Sequence, residues 1–486
     1  MTENNKLKIN PKYLIILVIA FMILLVISTK FIGNADMGDY LDIAKFFAGN
    51  YKADIRSSHS YFYGFIFSPF VKLDNSFLLM KLANLVWLFL LMLSIYSISK
   101  KNKKTLWLIL TSPIFWYMAP FINPIQIASL FFLWGFYFLN KYDKKDKIKD
   151  LFFAGIFFGL AWVFWDTILH LGIILTLVYF YNKKLSHTIY FILFVTIGLI
   201  PRLILDQLLF NFPFFTILKS FFGGVTNSLW SGVLGSGHTP KNFVNIFSTI
   251  IFIPLFSYLL YTPKYFKLNK KSNIFILLAF LLILTNPQPR YTLIIIPLII
   301  LNLSTILNEK QLKKQIIVST IITLLIITPY IIQINYNSNV EDLTSFIANI
   351  NHIQLSKSST NSIIKNDLKK IENDYENKLF IVGNLPDDYA ILARYYKGNK
   401  IQKFVSIQDY NLVMNNQTIL FEKELHPIPN INERREIFII GGLSKKTNDK
   451  TNYNDLNYAI GLGEEVQIEG FVLDKKYDYL YVSKKQ

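Results

Sequence analysis

Long apolar runs make up most of the first two thirds of the chain, and the polar segments between them alternate between two kinds. About eleven runs read as spanning helices, near 13–31, 76–98, 105–119, 124–140, 151–165, 167–182, 188–205, 243–261, 274–286, 290–307 and 316–334. A helix needs roughly 17–25 mostly apolar residues to cross a bilayer, so the shorter runs imply tilted, re-entrant or merged segments. One kind of intervening segment is crowded with lysine: Lys6/Lys8/Lys12, Lys100/Lys101/Lys103/Lys104, Lys141–Lys149, Lys183/Lys184, Lys264–Lys271 and Lys310/Lys313/Lys314. The other kind holds Asp36, Asp39, Asp42 and His59, then Pro120-Phe-Ile-Asn-Pro124, Asp166, a long loop with Trp230 and His238, and Asn286-Pro-Gln-Pro-Arg290. Short loops rich in Lys and Arg stay in the cytoplasm, so the second kind is predicted to face outward. Counting 151–182 as two helices, parted only by Trp165-Asp166-Thr167, preserves the alternation. It leaves the N-terminus inside and the C-terminus outside.

Past Tyr336 the pattern changes: charges become frequent and apolar runs shrink to strand length. We divide the chain into a transmembrane unit, 1–336, and an extracytoplasmic α/β unit, 337–486, large enough for a core of its own. Phe380-Ile-Val-Gly383 predicts a buried strand, followed by a turn and a helix over Tyr389–Tyr396. Glu436–Gly442 predicts a second strand. Glu465–Phe471 and Tyr477–Val482 are expected to pair as a hairpin around Asp474-Lys-Lys476. Gly441-Gly442 lacks a flanking phosphate-loop pattern and reads as a turn.

Composition agrees: 52% of residues are hydrophobic and 17% charged. The net charge of +18 carries no implication of nucleic-acid binding. Residues 1–339 hold 31 basic and 12 acidic residues, against 19 and 20 in 340–486, and the positive-inside rule with anionic lipids accounts for the excess. The chain has no cysteine, which excludes disulfides, thiolate metal sites and a cysteine nucleophile. The first apolar run lacks a small-residue cleavage site and is read as a signal anchor. The localisation expected is an integral, multi-pass plasma-membrane protein. No metal or other cofactor is expected, since no HxH, HExxH or DxD occurs; a divalent ion between Asp36 and Asp39 or Asp166 would be the exception.

In the first outward loop, Leu41, Ala44, Phe47 and Ala48 recur at helical spacing, predicting a short amphipathic helix on the membrane surface. Asp36, Asp39 and Tyr40 stand at i, i+3, i+4 and converge on one spot. Asp36 is either a helix cap or a carboxylate whose semi-dry setting suits a general base. Asp166, with Trp162, Trp165 and His170 nearby, is an acid between two apolar runs, either at membrane depth, where such a group is functional or paired, or in a short turn exposed to water. His59 beside Tyr61 and Tyr63, and Trp230 and His238 in the glycine-bearing loop 206–242, are candidate substrate contacts or else solvated loop residues.

The order Asp36-x-x-x-Tyr40, Ile43-Ala44 and Gly49-Asn-Tyr51 resembles the first outward loop of the GT-C superfamily of glycosyltransferases. Tyr61-Phe-Tyr63 and Pro69, and Arg290-Tyr291 opening a late helix, are similar to features of the same superfamily. Asn123-Pro-Ile-Gln126 and Ala154-Gly155-Ile-Phe-Phe-Gly159-Leu-Ala161 look like the middle of the polyprenol-phosphate-mannose-dependent branch, glycosyltransferase family 87. Asp166 and the large C-terminal unit depart from that branch. The resemblance covers residues 10–335 in organisation and implies a polytopic helical enzyme. Its donor would be a polyprenyl-phosphate-linked hexose, such as mannose, and its acceptor a glycan, glycolipid or protein, with attack in line and inversion at the anomeric carbon. It implies Asp36 as base, with Asp39 and Asp166 as further catalytic candidates. Arg290, then Arg202, would clamp the donor phosphate with a bidentate fork, and Tyr40, His59, Tyr63, Trp230 and His238 would contact substrate. Arg290 and Arg202 as snorkelling helix-end residues are the plain alternative.

Two other classes compete. A transporter of lipid-linked substrates would carry charges within several helices, often in two related halves. An envelope polysaccharide polymerase or ligase would rely on arginines in a large late loop, but no arginine lies between Arg202 and Arg290.

Overall fold

A computed structural model describes residues 11–28, 35–48, 60–71, 73, 76–210, 212–218, 243–252, 258, 266–285, 287–332, 360–383, 392, 396, 400–401, 403–407 and 456–486. Its helices are α1 (Pro11–Ser28), α2 (Ala35–Phe47), α3 (Phe62–Val71), α4 (Ser76–Ile98), α5 (Lys103–Leu110), α6 (Pro113–Met118), α7 (Ile125–Lys145), α8 (Ile148–Phe164), α9 (Ile168–Phe180) and α10 (Leu185–Phe210). They continue as α11 (Phe243–Ile251), α12 (Lys270–Thr285), α13 (Ile296–Ile306), α14 (Glu309–Ile332) and α15 (Thr360–Asp374). Every predicted apolar run carries helix, but three departures have local causes.

The run 105–119 is broken into α5 and α6 at Thr111-Ser112. Pro113 opens α6; its ring excludes a continuing helix and holds Ser112 extended, at φ −73° and ψ 120°. The run 290–307 begins as a 3₁₀ helix, Pro289–Ile294, before α13, because Pro289 and Pro297 both remove amide donors. The predicted surface helix is α2, but it packs on α3 with Tyr40, Leu41, Ile43, Ala44 and Phe46 buried. Gly64 makes this approach: a Cβ there would lie 2.2 Å from Ile43 Cγ2. The stretch 151–182 forms two helices, α8 and α9, turned at Trp165, whose backbone is extended.

Among the described residues three helical stretches are long and apolar enough to cross a bilayer, Leu78–Ile98, Leu185–Leu209 and Glu309–Thr328, so the count of eleven is not reproduced by length there. Shorter apolar helices include Tyr13–Ile27, Phe62–Val71, Ile168–Phe180 and Ile296–Ile306. Large apolar side chains such as Leu24, Leu177, Leu208 and Ile321 are exposed on the outside of the bundle. Such surface suits lipid and not water. The bundle is an integral membrane fold.

Tight helix contact comes from small residues. An added Cβ at Gly159 would sit 2.2 Å from Val195 O and 2.7 Å from Gly198 Cα, so α8 and α10 touch backbone to backbone, as small-xxx-small helices do. On its other side α8 meets α7 through Phe131, Phe138 and Trp134 against Phe157, with ring centroids 5.8–6.4 Å apart.

The described residues of the C-terminal unit form five strands, β1 (Leu379–Val382), β2 (Lys403–Ser406), β3 (Tyr458–Leu462), β4 (Phe471–Lys476) and β5 (Leu480–Lys485), in the order β2-β1-β3-β5-β4. The β1 strand is parallel to β2 and β3, while β5 is antiparallel to β3 and β4. Strand alternation sends Phe380 and Val382 to one core with Ile364, Leu368 and Ile371 of α15, and Leu379 and Ile381 to another with Val405 and Ala459. The predicted hairpin exists, but its strands are β4 and β5 and its turn is 477–479, not 474–476. Gly463 and Gly470, both at positive φ, turn the chain before β4 and leave 463–470 irregular. Asp367 Oδ2 then accepts the Tyr479 and Leu480 amides at 2.7 and 3.0 Å, fixing the turn. The strand expected at Glu436–Gly442 and most of the helix at Tyr389–Tyr396 lie outside the described residues.

Candidate active site

Contacts within the bundle sort the polar segments into two ends. Segments of the lysine kind touch one another: Lys271 Nζ lies 2.5 Å from Asp143 Oδ1, Lys183 Nζ 2.8 Å from Asp146 Oδ1, and Lys104 Nζ donates to Leu307 O at 2.7 Å. Tyr142 bonds His187 at the same end. The Lys183 ammonium holds the Asp146 carboxyl below its ordinary value. At the opposite end, the segments bearing the unusual residues meet.

Here α2 carries Asp36 and Asp39 in its first turns, and two residues of α2 and α3 tie it down. Tyr40 is buried and packs edge-on against Tyr63, with centroids 4.9 Å apart. The Tyr63 hydroxyl donates to Asn84 Oδ1 at 2.8 Å and accepts from the Asn123 amide. Asn123 Oδ1 in turn accepts from Ile125 N at 2.9 Å, and Gln126 Nε2 donates to Met118 O at 3.2 Å. One phenol therefore joins α3, α4 and the Pro120–Pro124 segment. Ser60, just before α3, donates to Val163 O at 2.5 Å, bringing the α8–α9 turn to the same place.

That turn supplies Trp165, which packs on Tyr291 at 5.6 Å. The Arg290 guanidinium stands 5.2 Å from the Tyr291 ring centre and is 7% exposed, and its charge reaches Tyr117. Beyond Trp165, Asp166 Oδ1 lies 2.5 Å from Arg202 Nη1. Arg202 Nε donates to Thr216 Oγ1 at 3.0 Å, and Thr216 donates through its amide to Asp206 Oδ2 at 2.9 Å and through its hydroxyl to the same carboxylate.

Of the residues singled out in the sequence, this end holds α2 with Asp36 and Asp39, together with Tyr40, Tyr63, Asp166, Arg202 and Arg290. His59, Trp230 and His238 lie outside the described residues, as do the side chains of Asp36 and Asp39. Sequence reading passed over Lys81, Asn84, Asp206 and Thr216. Lys81 is 2% exposed and stands one turn before Asn84 on α4, on the same helix face. The signal was available: a lysine inside an apolar run is costly and tends to be functional. Among the described residues no three His, Asp or Glu side chains cluster as a metal site would need. The arrangement combines buried cations, aromatic faces and carboxylates at one interface, which is chemistry for a phosphate leaving group and hydroxyl-bearing partners.

No protein-family model matches the chain, and no curated protein matches it. The chain is similar in structure to ArnT from Cupriavidus metallidurans bound to undecaprenyl phosphate, with a TM-score of 0.57, 11% identity, and 97% of this chain and 98% of that one covered. The apo state of the same protein gives 0.55 at 12% identity, with the same coverage. The likeness does not reach the family 87 branch. It spans both the helical bundle and the C-terminal unit, so the chain shares the fold of ArnT.

Proposed function

We propose that this protein is a GT-C membrane glycosyltransferase that moves a sugar from a polyprenyl phosphate to an acceptor hydroxyl at the acidic-loop end of the bundle. The observation that carries this reading is the shared fold with a protein crystallised with undecaprenyl phosphate, a polyprenyl phosphate of the class that the sequence resemblance implies. Two of the buried cations at this end, Lys81 and Arg290, support it. A donor dissolved in the bilayer needs no nucleotide-binding fold. Its phosphate needs positive charge as the glycosidic bond breaks, and preorganised cations in a dry site supply that without reorganisation.

In the reaction, the acceptor oxygen attacks the anomeric carbon as the bond from that carbon to the phosphate oxygen breaks. The acceptor proton passes to Asp36, polyprenyl phosphate leaves against Arg290 and Lys81, and the anomeric configuration inverts. Asp39 and Asp166 are the neighbouring carboxylates, and Tyr40 and Tyr63 set α2 in place. The donor sugar to test first is a hexose, mannose before glucose; a glycan, glycolipid or protein serves as acceptor. The lysine-rich end lies in the cytoplasm by the positive-inside rule, which puts the reaction on the outer face.

The test is transfer of radiolabel from polyprenyl-phosphate-mannose and polyprenyl-phosphate-glucose into membrane acceptors, with wild type beside Asp36→Asn. Label transfer that the substitution lowers by on the order of a hundredfold or more, in protein that is still inserted, is expected. Transfer that survives it keeps the class and moves the base to Asp39 or Asp166. No transfer from any polyprenyl-phosphate sugar would sink the proposal and put the polymerase and transporter readings ahead.

A further inference from the structure

The geometry points to Arg202 as a positioning residue that aims Asp166 at carbohydrate hydroxyls, rather than a clamp for the donor phosphate; this rests on the glycosyltransferase reading above. Three observations carry it. First, the Arg202 side chain is 1% exposed and its charge already faces carboxylates, with Asp166 at 2.5 Å and Asp206 reached through Thr216. A phosphate approaching it would meet two negative groups. Second, two of the three guanidinium nitrogens are engaged, and Nη2 alone has no hydrogen-bond partner among the described residues. Its Nε donates to Thr216 Oγ1 at 3.0 Å, its Nη1 donates to Trp162 O at 3.1 Å, and the same Nη1 contacts Asp166. Because Thr216 Oγ1 accepts from Arg202 and donates to Asp206 at 2.7 Å, the chain of bonds runs one way and fixes the hydroxyl rotor. Third, the Asp166 contact is one of charge without hydrogen-bond alignment. Neither carboxylate oxygen has a hydrogen-bond partner among the described residues, although the side chain is only 13% exposed.

Buried carboxylate oxygens are rarely left in that state. Asp166 therefore keeps its accepting capacity while its position is set by a fixed cation. It follows Trp165 directly, and Trp165 packs on Tyr291 beside Arg290. A sugar whose phosphate lies at Arg290 has this carboxylate and this indole within reach of its hydroxyls, the usual pairing of an acceptor with an apolar face in a small-molecule site. His170 is the further titratable group that feels the Asp166 charge.

The experiment measures transfer kinetics and undecaprenyl-phosphate binding on the full-length protein in nanodiscs, for Asp166→Asn, Arg202→Gln, Arg202→Lys, Arg290→Gln and the Asp166→Asn/Arg202→Gln double variant. Thermal unfolding of each selects those that fold. Each single change at 166 or 202 is expected to lower kcat, by on the order of a hundredfold for a displaced contact, with binding of undecaprenyl phosphate, which carries no sugar, unchanged. The double variant should be no worse than Asp166→Asn, since coupled residues are not additive. Arg202→Lys should fail to rescue, because one ammonium cannot make these contacts as the fork does. Arg290→Gln should weaken lipid-phosphate binding. If Arg202→Gln weakens that binding as Arg290→Gln does, or its loss multiplies with that of Asp166→Asn, the inference is overturned while the function stands. Normal kcat in a folded Arg202→Gln protein overturns it equally. A wild type that binds and transfers nothing removes the function itself.

Discussion

At the scale of single residues, the candidate site depends on polar groups that hold other polar groups. Tyr63 is the clearest case: its one hydroxyl is donor to Asn84 and acceptor from Asn123, and its ring seats Tyr40 of α2. Tyr63→Phe keeps the ring packing and strands two buried partners. A loss of about 1–3 kcal/mol follows from the unsatisfied groups, read as lowered thermal stability of the purified protein. Donor affinity in that variant should fall less than turnover, because α2 is displaced while Arg290 and Lys81 are not. These contacts explain why residue types alone ranked the site imperfectly. Arg202 and Arg290 look alike in sequence, each near a proline in an apolar setting, yet one faces two carboxylates and the other an aromatic ring. Lys81 lacked a motif around it, and its place inside an apolar run was the one sequence signal that set it apart from the lysines of the loops.

At the scale of elements, glycine position decides which helices touch. Gly159 and Gly198 meet where α8 crosses α10, so Gly159→Leu drives a side chain into backbone that cannot move aside. We expect loss of folded, monodisperse protein on size-exclusion chromatography rather than a modest shift in melting. Gly172 is the control, since nothing lies within 4 Å of a Cβ placed there in α9. Gly172→Ala should stabilise by about 0.4–1 kcal/mol through helix propensity and a less flexible unfolded chain. The start of α14 is a reciprocal cap: Asn308 Oδ1 accepts from Gln311 N at 2.9 Å, and Gln311 Oε1 accepts from Asn308 N at 3.0 Å. Asn308→Ala should cost about 1 kcal/mol, measured in the same unfolding assay. A change under a few tenths would show that packing against α1, α5 and α6 alone sets where this helix begins.

At the scale of the whole molecule, two chemically distinct ends and a separate sheet respond to conditions differently. Where α15 ends against the sheet, Asp374 Oδ2 accepts from Lys475 Nζ at 2.7 Å and from the Tyr477 hydroxyl at 2.6 Å, and these bonds hold its carboxyl below the ordinary carboxylate range. A carboxyl lowered on folding adds stability above its unfolded value near 3.9 and loses it as pH falls through the folded value. Asp374→Asn should therefore destabilise at neutral pH and converge on wild type only as pH falls below about 3.9 and through the lower folded value. The effect is small because solvent screens so exposed a group. An equal deficit at both pH values would assign the loss to packing instead.

The alternation of lysine-rich and acid-bearing segments pointed, before any coordinates, to a helical membrane protein, and the described residues among the unusual ones, Tyr40, Tyr63, Asp166 and Arg290, do meet at one end. That inference succeeds because bilayer thickness and loop charge act locally along the sequence. The break between α8 and α9 and the buried strand β1 were legible for the same reason, each being set by residues within a few positions. The split of α5 from α6 was marked by Pro113, though a continuous apolar run concealed it. Tertiary structure alone decided that Lys81 is buried, that Arg202 belongs to Asp166 and Asp206, and that the β4–β5 turn falls at 477–479 under Asp367. Each of these joins residues 10 to more than 100 positions apart, and which buried charge finds which partner depends on helix packing that no local pattern encodes.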